Sequence, residues 1–133
     1  MARNWRLIGQ ECIILNVADF AASEVLPSTP NNNGVFRNCV NVEIPIGVER
    51  VALLCIARDS AGTYYTGFLF EDLTGGRCFA PSPKWNRSHT QEEAFLEGTR
   101  ILHRNLSDKK VDEYLRAAKR EYFNHKHIQL SLF

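Results

Sequence analysis

The chain has 133 residues, 44% of them hydrophobic, with sixteen Lys and Arg against fifteen Asp and Glu. That length suits one domain with a real core, and a formal net charge of +1 removes the broad positive field of a protein that holds nucleic acid mainly by its phosphates, so any nucleic-acid contact is expected to be local. The first residues lead into no long apolar run and no stretch approaches the length of a bilayer span, so neither a signal peptide nor a membrane segment is expected.

In chain order, residues 5–17 mix large apolar side chains with Gly9 and Gln10, and the β-branched run Cys12-Ile13-Ile14-Leu15 suits a buried strand ending near Val17. Asp19 is placed to cap a short helix over residues 20–26 that Pro27 stops. Pro27-Ser28-Thr29-Pro30-Asn31-Asn32-Asn33-Gly34 gathers turn-forming residues and predicts an exposed, mobile connecting loop. From Cys39 the pattern sharpens. Val40, Val42, Ile44 and Ile46 alternate with Asn41, Glu43 and Pro45, which predicts a half-buried strand with one polar face, and Pro45 suggests a sheet edge.

Residues 47–50 turn the chain into residues 51–57, Val-Ala-Leu-Leu-Cys-Ile-Ala, apolar on both faces and therefore predicted to be a central strand. Asp59-Ser60-Ala61-Gly62 makes a hairpin turn. Residues 63–72 return as an aromatic-rich strand with Tyr64, Tyr65, Phe68 and Phe70, and residues 73–76 turn again into a strand over 77–80. This is an antiparallel meander of three or four strands.

Helices follow. Thr90-Gln91-Glu92-Glu93 is a capping box, after which Ala94, Phe95, Ile101 and Leu102 mark one apolar stripe. Ser107 is placed to cap a second helix with Val111, Tyr114, Leu115, Ala118 and Tyr122 at helical spacing, while Lys109, Lys110, Glu113, Arg116, Lys119 and Arg120 take its wet faces. The expected fold class is α+β: an antiparallel β-meander sheet covered by two C-terminal helices, with residues 1–124 as one domain and 125–133 as a tail.

The stretch over about 52–102, a hairpin, a third strand and a helix opening Thr90-Gln91-Glu92-Glu93-Ala94, is similar in outline to the HicB-type antitoxin domain. That family's compact turn between third strand and helix is replaced here by Pro81-Ser82-Pro83-Lys84-Trp85-Asn86-Arg87-Ser88, so the resemblance implies an architecture and assigns no site residue. It also implies an alternative function, a nucleic-acid-binding regulator of antitoxin type whose tail packs on its own core.

Constellations that carry chemistry are sparse. Cys12, Cys39, Cys55 and Cys78 lie far apart with no Cys-x-x-Cys pair and read as buried free thiols of a reducing cytoplasm. Gly75-Gly76 lacks the lysine of a phosphate loop and reads as a turn. Cys78 and His89 form a conceivable nucleophile and base, but no third group accompanies them, and a core thiol with a surface histidine is the simpler reading. His125 and His127 are two imidazoles without a cysteine or carboxylate partner, so no metal site, cofactor or catalytic residue is expected. Lys84-Trp85-Asn86-Arg87 puts an aromatic between two cations in a loop that Pro81 and Pro83 stiffen. With Arg77 these residues form a candidate surface for single-stranded nucleic acid, where a base stacks on Trp85 while Lys84 and Arg87 take phosphates. The same residues suit a tryptophan that plugs the sheet edge beside solvated cations.

The last five residues, Gln129-Leu130-Ser131-Leu132-Phe133, end on large apolar side chains, which need either the chain's own core or another protein to cover them. Read as an extended peptide, they offer Leu132 and Phe133 as apolar anchors and Gln129 as a directional polar contact. All five positions resemble the short peptide by which many bacterial replication and repair proteins dock on the β sliding clamp, Gln-Leu, then Ser or Asp, then Leu-Phe. The resemblance implies that Leu132 and Phe133 enter a hydrophobic cleft on the clamp while the Gln129 amide bonds in an adjoining subsite. It further implies a non-catalytic accessory or inhibitor of replication or repair, of a kind carried by phages or plasmids. The bland alternative is a terminal segment that folds back and seals the sheet.

Overall fold

Residues 51–57 fall where two-sided apolarity demands, in the middle of a sheet. The computed structural model describes residues 13–36, 38–72, 75–83, 86–106 and 109–131, the side chains of 71–79 and 127–131 excepted. The elements are β1 (Ile13–Asn16), α1 (Val17–Ala21), β2 (Val40–Gly47), β3 (Arg50–Arg58), β4 (Tyr64–Asp72), β5 (Gly75–Phe79), β6 (Arg87–Ser88), α2 (Gln91–Asn105) and α3 (Lys109–Ser131). The sheet order is β1-β2-β3-β4-β5, with β6 paired to β4. Strands β2 to β5 form the expected antiparallel meander. β1 lies parallel to β2, Ile13 opposite Val40 and Asn16 opposite Glu43, so the sheet is mixed where a purely antiparallel one was expected. The α+β arrangement stands. Helix α3 packs on β2, α2 on β3 and β4, and α1 on β2 and α3.

Alternation sorts the two faces of the sheet. Val42, Ile44 and Ile46 of β2, Ala52, Leu54 and Ile56 of β3, and Phe68 and Phe70 of β4 share one core with Phe20, Phe95, Leu102, Leu115 and Tyr122 from the helices. Two features bring α2 close. Thr66 Oγ1 donates to the Ala94 carbonyl at 3.1 Å, and Gly98 presents its bare Cα to Leu54, where an added Cβ would lie 2.5 Å from Leu54 Cδ1. On the opposite face Phe36 and Cys39 close over Cys55, Ala57 and Tyr65, with Phe36 and Tyr65 rings 5.2 Å apart.

Several local expectations are corrected. The run Ile13-Ile14-Leu15 is no buried strand: β1 is outermost, and Ile13 and Ile14 are exposed. Asn16, not Asp19, caps α1; its Oδ1 accepts from the Asp19 amide at 2.7 Å, and the helix ends at Ala21, short of the expected 26. Asn41 does not face water but is fully buried, its Oδ1 accepting from the Cys55 thiol at 3.0 Å. Pro45 sits in an internal strand, yet β1 reaches along β2 only to Glu43, so the proline occupies a length of β2 whose outer edge is open.

The asparagine-rich loop is organised by Asn31. Its Oδ1 accepts from the amides of Asn33 and Val35, and Gly34 takes the left-handed conformation that closes this turn. Phe36, which follows, is then delivered to the sheet, its amide donating to the Pro81 carbonyl. The β3–β4 hairpin closes in a similar way on Asp59, whose carboxylate accepts from the amides of Ala61 and Thr63 and from the Tyr65 hydroxyl. Burial opposes that charge, but these donors outweigh it and hold the Asp59 carboxyl below its ordinary value.

The close approach of α2 yields a test. Gly98→Ala gains helix propensity of about 1 kcal/mol, but the new methyl must displace a fully buried leucine, and overpacking a core costs about 1–3 kcal/mol. The variant is expected to be less stable in urea unfolding, and Leu54→Val added to it should recover part of the loss. A Gly98→Ala chain more stable than the parent would contradict this packing.

Candidate partner-docking segment

Helix α3 is held by one stripe. Val111, Leu115, Ala118 and Tyr122 are buried at intervals of four, three and four residues, the pattern of a helix lying on a core. Its lower end is clasped to α2 by His103 Nδ1 and Asp112 Oδ1 at 2.5 Å. That pair is substantially exposed, so its contribution is small. The stronger anchor is Tyr122, whose ring stacks on Phe95 at 4.6 Å and tilts against Phe20 at 5.9 Å. One aromatic from each helix therefore meets in a single cluster. The Tyr122 hydroxyl finds no hydrogen-bond partner among the described residues. Burial, with Glu92 and Tyr64 adding to it, pushes that phenol up to about 12.

Over the four residues after Tyr122 the helix turns away from the core. Phe123, Asn124 and His125 are exposed and Lys126 is half-buried, while Phe123 keeps an edge contact with the Tyr122 ring at 5.6 Å. The backbone stays helical through Ser131. Residues 125–131, expected to form a separate extended tail, thus continue α3, and Gln129, Leu130 and Ser131 lie in its last turn. Leu132 and Phe133 lie outside the described residues, as do Cys12 and Ser107, the expected cap of this helix.

Of the candidate nucleic-acid residues, Lys84 and Trp85 lie outside the described residues. Arg77 pairs with Phe70 in the β4–β5 register, and Arg87 pairs with Tyr65 in the β4–β6 register. Arg87 is exposed, its Nε donating to the Pro83 carbonyl at 3.0 Å. Asn86, in the left-handed region, ties the loop to the β4 edge through a bond from Nδ2 to the Thr66 carbonyl.

Other expected features resolve simply. His89 is exposed, and its amide donates to Glu93 Oε2 while Thr90 Oγ1 accepts from the Glu93 amide. The capping box therefore forms, with the glutamate reaching one residue further back than the usual pattern. Cys39 and Cys55 are buried free thiols, and no cluster of three or more metal-ligating side chains occurs among the described residues. No described helix is long and apolar enough to cross a membrane.

One surface was read from the sequence only as wet helix faces. Between α2 and α3 runs a shallow cleft of about 360 Å³ lined by Leu96, Thr99, Arg100, His103, Leu115, Arg116 and Lys119, with Asp112. The signal for it was cations recurring at three- and four-residue spacing on two helices that the packing brings side by side. No protein-family model, curated protein or solved structure matches the chain.

The Tyr122 anchor carries its own test. Its folded-state value lies above the ordinary 10, so the neutral phenol's contribution is complete below pH 10 and is lost as the pH rises through about 12. Wild type should lose stability over that window, on the order of 2 kcal/mol. Tyr122→Phe should be at least as stable near neutrality, because the hydroxyl is unpaired, and should lack this component of the alkaline loss. Denaturant midpoints at pH 8, 10 and 11.5 measure both; identical pH profiles for the two chains would refute the assignment.

Proposed function

We propose that the protein is a non-catalytic accessory or inhibitor of DNA replication or repair that acts in the bacterial cytoplasm by docking on the β sliding clamp through Gln129-Leu130-Ser131-Leu132-Phe133. The single observation carrying the reading is the pentapeptide itself, which agrees with the clamp-docking peptide at all five positions. Its setting supports it. The last buried residue described on α3 is Tyr122, and the four that follow are exposed or half-buried, so the motif follows a segment that makes little use of the core.

Docking in an extended form requires Gln129, Leu130 and Ser131 to leave the helix. Terminal helical turns fray at little cost, and the resulting strand would set Leu132 and Phe133 into the clamp cleft with the Gln129 amide beside them. A helix anchored by Tyr122 thus serves as a stem from which a short peptide unwinds onto its partner.

Because the anchors lie within five residues, a synthetic peptide of residues 125–133 is expected to compete with the whole protein for the clamp in a fluorescence polarisation assay. Leu132→Ala with Phe133→Ala removes both anchors, each worth about 2 kcal/mol or more at a hot spot, so affinity should fall on the order of a thousandfold while the unfolding midpoint stays unchanged. A double variant that loses several kcal/mol of stability, from a parent that never bound the clamp, would make the segment a core strap and end this reading.

A further inference from the structure

Helices α2 and α3 hold eight Lys and Arg against six Asp and Glu, and the rest of the chain holds eight against nine. The helix pair therefore carries about +2, with Glu92 and Glu93 at the start of α2 and outside the described cleft lining. Within that pair the acids are partly committed. Glu97 accepts from Arg100 at 2.7 Å and lies 3.9 Å from Arg104, and Asp112 is taken by His103. Arg116, Lys119 and Arg120 have no ion-pair partner among the described residues, although Glu113 lies one turn before them. They form the cationic wall of the α2–α3 cleft and of the adjoining hollow on α3.

We infer that this face binds the phosphate backbone of duplex DNA. The three cations occupy little more than one helical turn, and Lys109 and Lys126 extend the stripe seven residues before Arg116 and seven beyond Lys119. From Lys109 to Lys126 is about 25 Å of helix at 1.5 Å per residue, a length over which a duplex presents several phosphates of one strand. Among the described residues the cleft's lining holds no Phe, Tyr or Trp, and its one ring, His103, is paired with Asp112. A site for single strands supplies platforms on which bases stack; here the described lining offers cations and no large ring face, which suits a ligand whose bases are already stacked and whose backbone alone is read. The apolar side chains described in the lining are Leu96 and Leu115. The surface lies on residues 96–126 and needs no part of the terminal motif, so it stands or falls apart from clamp docking.

The test is anisotropy of a labelled duplex of about 24 base pairs with the full chain and no clamp present, from about 50 to 200 mM salt. Binding is expected at the lowest salt, weakening with a log–log slope of about −3, since each neutralised phosphate contributes about −0.9. Arg116→Gln with Lys119→Gln and Arg120→Gln should weaken binding tenfold or more and flatten the slope by about two to three, with helical circular dichroism unchanged. If that variant loses helicity, Arg116→Gln alone is read instead and should flatten the slope by about one. Trp85→Ala with Arg87→Ala should leave duplex binding as it was. No binding at low salt, an unchanged slope in the Gln variants, or tighter binding of a single strand of equal length would each overturn the inference.

Discussion

Between Ala52 and Ala57, β3 carries no charged or hydrogen-bonding side chain except the Cys55 thiol, and every residue of that stretch is buried. A strand of this kind has no face to give to water, so it fixes the architecture by requiring cover from both sides. One cover comes from the three helices, whose apolar stripes meet Ala52, Leu54 and Ile56. The other is built from loop, as Phe36 and Cys39 swing over Cys55 and Ala57. The close seat of Gly98 on Leu54 and the three backbone bonds made by Gln91, to Phe20, Ser23 and Val25, lock α2 and α1 into the first cover.

From that constraint the placement of α3 follows. Phe20 of α1 and Phe95 of α2 are already fixed on the sheet, and Tyr122 completes their cluster. Once Tyr122 is seated, residues 123–126 are exposed or half-buried, and the helix runs on into the motif that resembles a clamp-docking peptide. The same seating lays the cations of α3 alongside those of α2. The position of the segment that carries the pentapeptide and that of the charged face thus both follow from how one aromatic residue pins one helix.

The parts of the fold visible in the sequence are those where one periodicity dominates: the alternation of Val40, Val42, Ile44 and Ile46, the two-sided run of β3, and the stripes of α2 and α3. What was not visible depended on partners distant in sequence. Ile13 and Ile14 have the composition of a buried strand, but burial is decided by neighbours, and β1 has a neighbour on one side only. Asn41 alternates like a solvent-facing residue and is buried because residues near Phe36 cover its face. Asn16 displaced Asp19 as a cap because the strand runs directly into the helix, leaving no room for the later start. At the candidate sites, the terminal pentapeptide was legible as a motif, whereas the helical setting of Gln129, Leu130 and Ser131 was not, because Gln129 and Leu130 are as compatible with a helix as with an extended end. The pairing of Arg77 with Phe70 and of Arg87 with Tyr65 was equally invisible, since strand register is set by turns whose geometry local composition does not fix.

The central claim is that the last five residues are the contact with the β sliding clamp and are dispensable for folding. Surface plasmon resonance on immobilised clamp, comparing the full chain with one ending at Ile128, measures it most directly when paired with thermal unfolding of both chains. The account predicts saturable binding by the full chain, none by the shortened one, and coincident unfolding curves. Equal binding by the two chains, or no binding by either, would contradict it.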